Sequence, residues 1–379
     1  MPACAVLVAV ALAPGCGGGP SVSLDASVGD GGTPTLAAAR ERVRTESGVP
    51  AIGATVLRGD GTLDQAVTGV RRRGDTTSAT SDDLFHLGSN TKAMTAVLVA
   101  TFVDDGDLAW TTTVEELLGD DLAAIHGELR DVTFVELLAH TSGLLDEDAL
   151  ALVPPLNPDL PVEAQRLAAA RQVLAAAPTG TRGEHAYANV GYVLAGVMLE
   201  RFAEAPWEAL MEERLFAPLG MASCGFYAPG TPGTVDQPWG HLVEGQRLRA
   251  VDPGDVEAEL PLVLGPAGLA HCAMDDWARF LAMTLRGARG SEDELVSAAA
   301  FDALLTPRAD GYALGWVVGD EPLPALAHDG SNLRFTSLAL VAPDHDLALL
   351  AVTNVGLEVG GPALNGLFVE LLPRYGVEL

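Results

Sequence analysis

Short apolar runs with β-forming residues lie toward both ends of the chain, and apolar positions recur at helical spacing between them. Residues 51–57 and 66–70 are such runs on either side of Asp60-Gly61, which predicts an early antiparallel hairpin. Residues 91–103 place Met94, Val97, Leu98 and Phe102 along one side of a helix. Thr133 and Glu136 are spaced as a capping box that opens a helix carrying Leu137 and Leu138. Asn189 is placed to cap a helix over about 190–202. Residues 110–300 read as mainly helical, with proline-rich loops near 153–161 and 228–238. Further on, 333–341 and 347–353 flank Pro343-Asp344-His345-Asp346 as a second hairpin, and a helix over about 362–372 closes the chain. There is no internal repeat. The pattern predicts an α/β (α+β) fold. One antiparallel sheet is built from both chain ends and flanked by helices, with a large mainly helical insertion. The α/β part spans about 36–108 and 305–379, the helical part about 109–304, and the site is expected in the cleft between them.

The N-terminus has a different character. Residues 4–13 form an apolar run the length of a signal-peptide core, too short to span a bilayer. Pro14-Gly15-Cys16 and the Gly-rich stretch after them resemble a bacterial lipoprotein signal, which implies export and makes Cys16 the candidate lipidation site. On that reading 1–16 is a signal, 17–35 a flexible linker and 36–379 the folded domain, with membrane attachment only through the N-terminal lipid. The alternative is an uncleaved N-terminal segment. Cys224 and Cys272 are read as two buried thiols, with pairing in an exported protein as the alternative.

With 22 basic and 51 acidic residues the chain carries a formal charge of −29, which repels phosphate backbones and excludes nucleic acid as a partner. Of the basic residues, only Lys92 is a lysine. It stands three residues after Ser89, one turn along a helix and on the same face. A serine hydroxyl becomes a nucleophile when a base takes its proton, and a lysine does this only as the free amine. Arginine does not deprotonate in proteins, so one lysine kept amid arginines points to chemistry that needs an amine. Tyr187-Ala188-Asn189 supplies a phenol able to carry a proton and an amide able to orient a substrate carbonyl or the lysine. In His328-Asp329-Gly330-Ser331, Gly330 lets backbone approach a ligand, an N–H at Ser331 can complete an oxyanion hole, and His328 is read as a cleft-facing donor in a loop before a strand.

Ser-x-x-Lys, then Tyr-x-Asn about 95 residues later, then His-x-Gly near the C-terminus, together resemble the serine β-lactamase and penicillin-binding-protein superfamily. The likeness is closest to its class C and D-Ala-D-Ala carboxypeptidase/esterase branch. The segment from Leu137 to Leu144, the Pro218–Met221 turn, residues 265–269 and the Tyr312–Trp316 segment resemble further landmarks of that branch. The resemblance implies Ser89 as the acylated nucleophile, Lys92 as its base and Tyr187 as a proton shuttle. It also implies Asn189 as acyl-binding, the N–H groups of Ser89 and Ser331 as the oxyanion hole, and no cofactor or metal. The substrate would be a small molecule or peptide: a β-lactam, a D-Ala peptide or a small ester. His-Asp-Gly stands where many class C enzymes have Lys-Thr-Gly, and a neutral histidine offers a substrate carboxylate less than a lysine does. The alternative function is a penicillin- or peptidoglycan-binding sensor that is acylated without turnover. An α/β-hydrolase is disfavoured because none of the 13 serines sits in Gly-x-Ser-x-Gly, and a metallohydrolase because the eight histidines show no His-Glu-x-x-His. His140 is read as structural, ending its helix.

Overall fold

The computed structural model describes residues 34–119, 124–146, 159–292, 294–320 and 323–377. The expected signal, Cys16 and nearly all of the linker lie outside these residues. Thr35 N-caps the first helix, Leu36–Ser47 (α1), its hydroxyl accepting from Ala38 N.

A six-stranded antiparallel sheet joins the two chain ends. The first hairpin is Ala51–Arg58 (β1) and Gly61–Gly69 (β2). From the other end come Val317–Val318 (β8), Leu326–Ser331 (β9), Thr336–Ala342 (β10) and Leu347–Thr353 (β11). The order is β2-β1-β11-β10-β9-β8, and β1 meets β11 with Ile52 opposite Thr353. Two small sheets complete the set. Phe85–His86 (β3) and Gly225–Phe226 (β4) flank Ala270–Cys272 (β7), while Gly240–Glu244 (β5) pairs with Arg247–Val251 (β6).

Helices cover both sheet faces. On one face α1 and the final helix, Leu357–Leu371, close a core of Val43, Ile52, Val56, Leu340, Leu349 and Phe368. On the other, Thr91–Asp104 (α2) and Met274–Ala288 join the larger core shared with the helical part. Residues 91–102 of α2 are buried all round, so the helix is enclosed and not laid on a surface.

Several expectations shift. The first strand of the C-terminal pair was expected from residue 333, but β10 starts at Thr336; Leu333 takes φ 73 in the turn between β9 and β10. His328–Ser331 therefore lie inside β9 and not in a loop before a strand. The last helix starts at Leu357, with Pro362 inside it. The helix after Tyr187 is Asn189–Ala203, with Ala188 as its cap residue, so Asn189 is helical and not the cap. Cys224 and Cys272 form a disulfide, their Cα atoms 4.1 Å apart, where buried thiols were expected. The β4–β7 register, Gly225 opposite His271, sets the two cysteines side by side. The capping box of Thr133 and Glu136 is present on Phe134–Leu138.

Candidate active site

The site begins at a turn that the sequence can make only with glycine. Between β3 and α2 the chain passes through a 3-10 turn, Gly88–Asn90. Gly88 sits at φ 51, a left-handed conformation that side chains disfavour, and a Cβ there would lie 2.1 Å from Ser331 N. Thr91 Oγ1 donates to Gly88 O at 2.7 Å. Asn90 Nδ2 donates to Ser337 Oγ at 2.8 Å, and that hydroxyl donates to Leu87 O at 2.6 Å. The turn is thus tied to β10, with Ser89 half-buried at its middle.

Lys92 follows one turn later and is fully buried. Its Nζ lies 3.1 Å from Ser89 Oγ, 2.7 Å from Asn189 Oδ1 and 2.7 Å from the carbonyl of Ala267, on the short helix Gly265–Gly268. Burial pushes the amine down to about 7, although the carboxylates of Asp146 and Asp329 act to raise it. Two of the three partners are carbonyl oxygens, which only accept. A neutral amine therefore spends its two N–H groups on Asn189 and Ala267 and turns its lone pair to Ser89, the one partner with a proton to give.

Asn189 is held from behind. Asp146 accepts from its backbone N–H and, at 2.7 Å, from Nδ2, and also meets Val190 N at 3.4 Å. The carboxylate does the capping expected of Asn189 and leaves the amide oxygen for Lys92. Anions are favoured at a helix start, which suits Asp146 to this place.

Tyr187 lies half-buried with its ring centroid 4.8 Å from Lys92 Nζ. Burial, then Tyr312, raises its hydroxyl well above the usual range, while the Ser89 hydroxyl acts to lower it. The ring packs against His140 at 4.3 Å between centroids. His140 has φ 59 and accepts from Ala188 N through Nδ1 at 3.1 Å, so it ends its helix and props the tyrosine segment.

His328 differs from its expected role. It is buried, with Nδ1 2.5 Å from the Asp329 carbonyl and Nε2 3.1 Å from Tyr312 Oη. Since the carbonyl only accepts, Nδ1 carries the proton and Tyr312 donates to Nε2. Burial, with Lys92 nearby, pushes the imidazole down to about 3, so it is neutral at ordinary pH. Both ring nitrogens are engaged inside the protein and neither is free to face the cleft. Gly330 packs on the Gly88–Asn90 turn: a Cβ there would be 2.0 Å from Leu87 O and 2.8 Å from Ser89 N. Ser331, opposite Thr336 of β10, donates its hydroxyl to Phe335 O and accepts there from Leu333 N. β8 pairs only with Leu326 and Ala327, so from His328 onward β9 has β10 on one side and, among the described residues, no strand on the other.

Ser89, Lys92, Tyr187, Asn189, His328, Gly330 and Ser331 thus gather at one place. Sequence reading missed Asp146, Tyr312 and the Ala267 carbonyl. Asp146 follows Leu144 of the Leu137–Leu144 landmark by two residues and Tyr312 opens another landmark, while a backbone acceptor leaves no mark in side-chain identity. Among the described residues no group of three His, Cys, Asp or Glu side chains is placed to hold a metal.

The family model described as Beta-lactamase matches residues 36–367. Penicillin-binding protein 4 of Amycolatopsis lactamdurans is 29% identical over 348 residues, covering 88% of this chain and 87% of that protein. Unguisins hydrolase ungD' of Aspergillus campestris is 26% identical over 299 residues, 73% of this chain and 54% of its own. In structure, SurE matches with a TM-score of 0.70 at 27% identity over 91% of this chain and 76% of its own. A class C beta lactamase from Rhodobacter sphaeroides matches at 0.69 and 18% over 89% and 98%, a likeness of fold. Sequence, fold and the convergence of the three motifs agree: the chain belongs to the β-lactamase family, whose structural neighbours include hydrolases.

Proposed function

We propose that the protein is a serine hydrolase that cleaves an ester or amide through an acyl-enzyme on Ser89. The observation that carries the reading is the position of Lys92 Nζ, buried and 3.1 Å from Ser89 Oγ, with its other two contacts on acceptors. The neutral amine takes the serine proton as Oγ attacks the substrate carbonyl. The N–H groups of Ser89 and Ser331 meet the oxyanion. The bond to the leaving group breaks, and Tyr187, beside both Ser89 and Lys92, passes the proton to the departing atom. Water then enters, gives its proton back along the same route and releases the acyl group.

The neutral, internally bonded His328 gives no cation to a substrate carboxylate, which favours small esters or amides over substrates anchored by a carboxylate, such as β-lactams. Export with a lipid at Cys16 remains part of this proposal.

The test is hydrolysis of a nitrophenyl ester by the protein and its variants. Ser89→Ala should abolish turnover, and Lys92→Arg should lower it by about a thousandfold, since the guanidinium stays charged. A Lys92→Arg enzyme within tenfold of the parent would remove the amine from the mechanism. Mass spectrometry should show a transient acyl group on Ser89; a permanent adduct would identify the non-turnover sensor instead.

A further inference from the structure

The third motif contains a carboxylate to which the mechanism above gives no task. Burial alternates along β9, with His328 and Gly330 toward one face and Asp329 and Ser331 toward the other. Asp329 is half-buried on β9, opposite Leu338 of β10, at the stretch where the strand's other edge has no strand beside it among the described residues. Among the described residues no side chain donates a hydrogen bond to its carboxylate or forms an ion pair with it. Its own backbone N–H favours the charged form, and Lys92 is the one cation that acts on it. Arg334, five residues along, donates to the Asn332 carbonyl and is influenced by Glu259 instead. Burial raises the Asp329 carboxyl to about 6 although Lys92 acts to lower it, and Lys92 cannot answer its charge while it serves as a neutral base.

The side of the scissile bond follows from what Asp329 acts on. Its charge is felt by Lys92 and Tyr187, the groups that handle the proton bound for the leaving group, and by Tyr312 beside His328. We infer that the Asp329 carboxylate is the counter-ion for a cationic group on the departing half of the substrate. On this inference, which rests on the acyl-enzyme reading, the site selects esters or amides with an ammonium leaving group and rejects those with an anionic one. Occupation by a cation would also cancel the charge that holds the Lys92 proton, easing its loss when such a substrate binds.

Three thioacetates with one shared acyl group test this. Acetylthiocholine carries a cation, 3,3-dimethylbutyl thioacetate is its neutral counterpart, and S-acetyl-3-mercaptopropionate carries an anion. In each, Ser89 Oγ displaces the sulfur, the C–S bond breaks, the serine proton ends on the thiol, and acetyl-Ser89 forms. The expected order of kcat/KM is cation, neutral, anion, with about a hundredfold between the extremes at low salt, narrowing as salt is added. In Asp329→Asn the cation-to-anion ratio should fall about tenfold or more. Equal kcat/KM for the three, a preference for the anion, or an unchanged ratio in the variant overturns the inference. Should that variant not fold, Asp329→Ser takes its place, because a formal charge of −29 by itself favours the cation in the parent protein. Acetyl-Ser89 formed equally from all three would leave the hydrolase reading intact and sink only the charge preference. No acetyl-Ser89 from any of them would sink both.

Discussion

Asp146 and Asn189 are joined twice, through the backbone N–H of Asn189 and through its Nδ2, so that one carboxylate starts a helix and aims the amide that meets Lys92. Asp146→Ala should therefore damage two things at once. Loss of the cap should cost about 1 kcal/mol of stability, read by urea denaturation. Release of the Asn189 amide should lower kcat about tenfold or more with a smaller change in KM, because Lys92 loses a fixed acceptor. A variant with normal kcat and reduced stability would show that Asp146 caps the helix and does nothing for Lys92.

The pH dependence follows from the state that Lys92 must occupy. Burial lowers its amine to about 7, and the base works only when uncharged. Activity on a neutral ester should therefore rise with pH through about 7 and fall off on the acid side. The Asp329 carboxylate raises that amine, so Asp329→Asn should move the acid limb to lower pH. A flat kcat/KM profile from pH 5 to 9, followed by stopped assays, would contradict a lysine base.

The Cys224–Cys272 disulfide closes a separation of 48 residues. Its removal by Cys224→Ala with Cys272→Ala should lower stability by about 2–4 kcal/mol. Calorimetry of the parent with and without a reductant is the direct comparison, and equal melting temperatures would show that the crosslink contributes nothing.

A buried cation away from the site makes a sharper stability test. Arg166 on Val162–Ala175 is fully enclosed and reaches Glu200 at 2.5 Å and Glu208 at 2.6 Å, and Glu208 in turn accepts from Tyr227 Oη at 2.6 Å. Truncating Glu200 to Ala leaves that guanidinium with half its partners. A loss of about 3–5 kcal/mol is expected in urea denaturation, more than from removing an exposed pair such as Arg130 with Glu115.

The sequence disclosed what is local and hid what is assembled across the fold. Ser89 and Lys92 were legible because a three-residue spacing fixes their relation once the segment is helical. The first hairpin and the helix over residues 91–103 followed from apolar runs and spacing, whereas burial of that helix all round, beyond the one side expected, did not. The disulfide stayed hidden because its cause is the pairing of Gly225–Phe226 with Ala270–Cys272, strands too short to leave a periodic trace. The sequence of the strand carrying His328 reads as a loop because His, Asp, Gly and Ser do not look like strand residues; partners on Tyr312 and the Gly88–Asn90 turn keep them there. Asn189 looked like a helix cap because its residue type favours that role, and only the position of Asp146, 43 residues earlier, shows who performs it.

Gly88 and Gly330 face each other across the seam between the Gly88–Asn90 turn and β9, each with room for a hydrogen and no more. The gap between the two amides proposed to meet the oxyanion is consequently gauged by main-chain thickness alone. No rotamer change can widen it, and no neighbouring side chain can be swapped to tune it. Even a methyl group at either glycine would wedge the seam open, so selection for a new substrate must act through the rim and leave this gauge as it is.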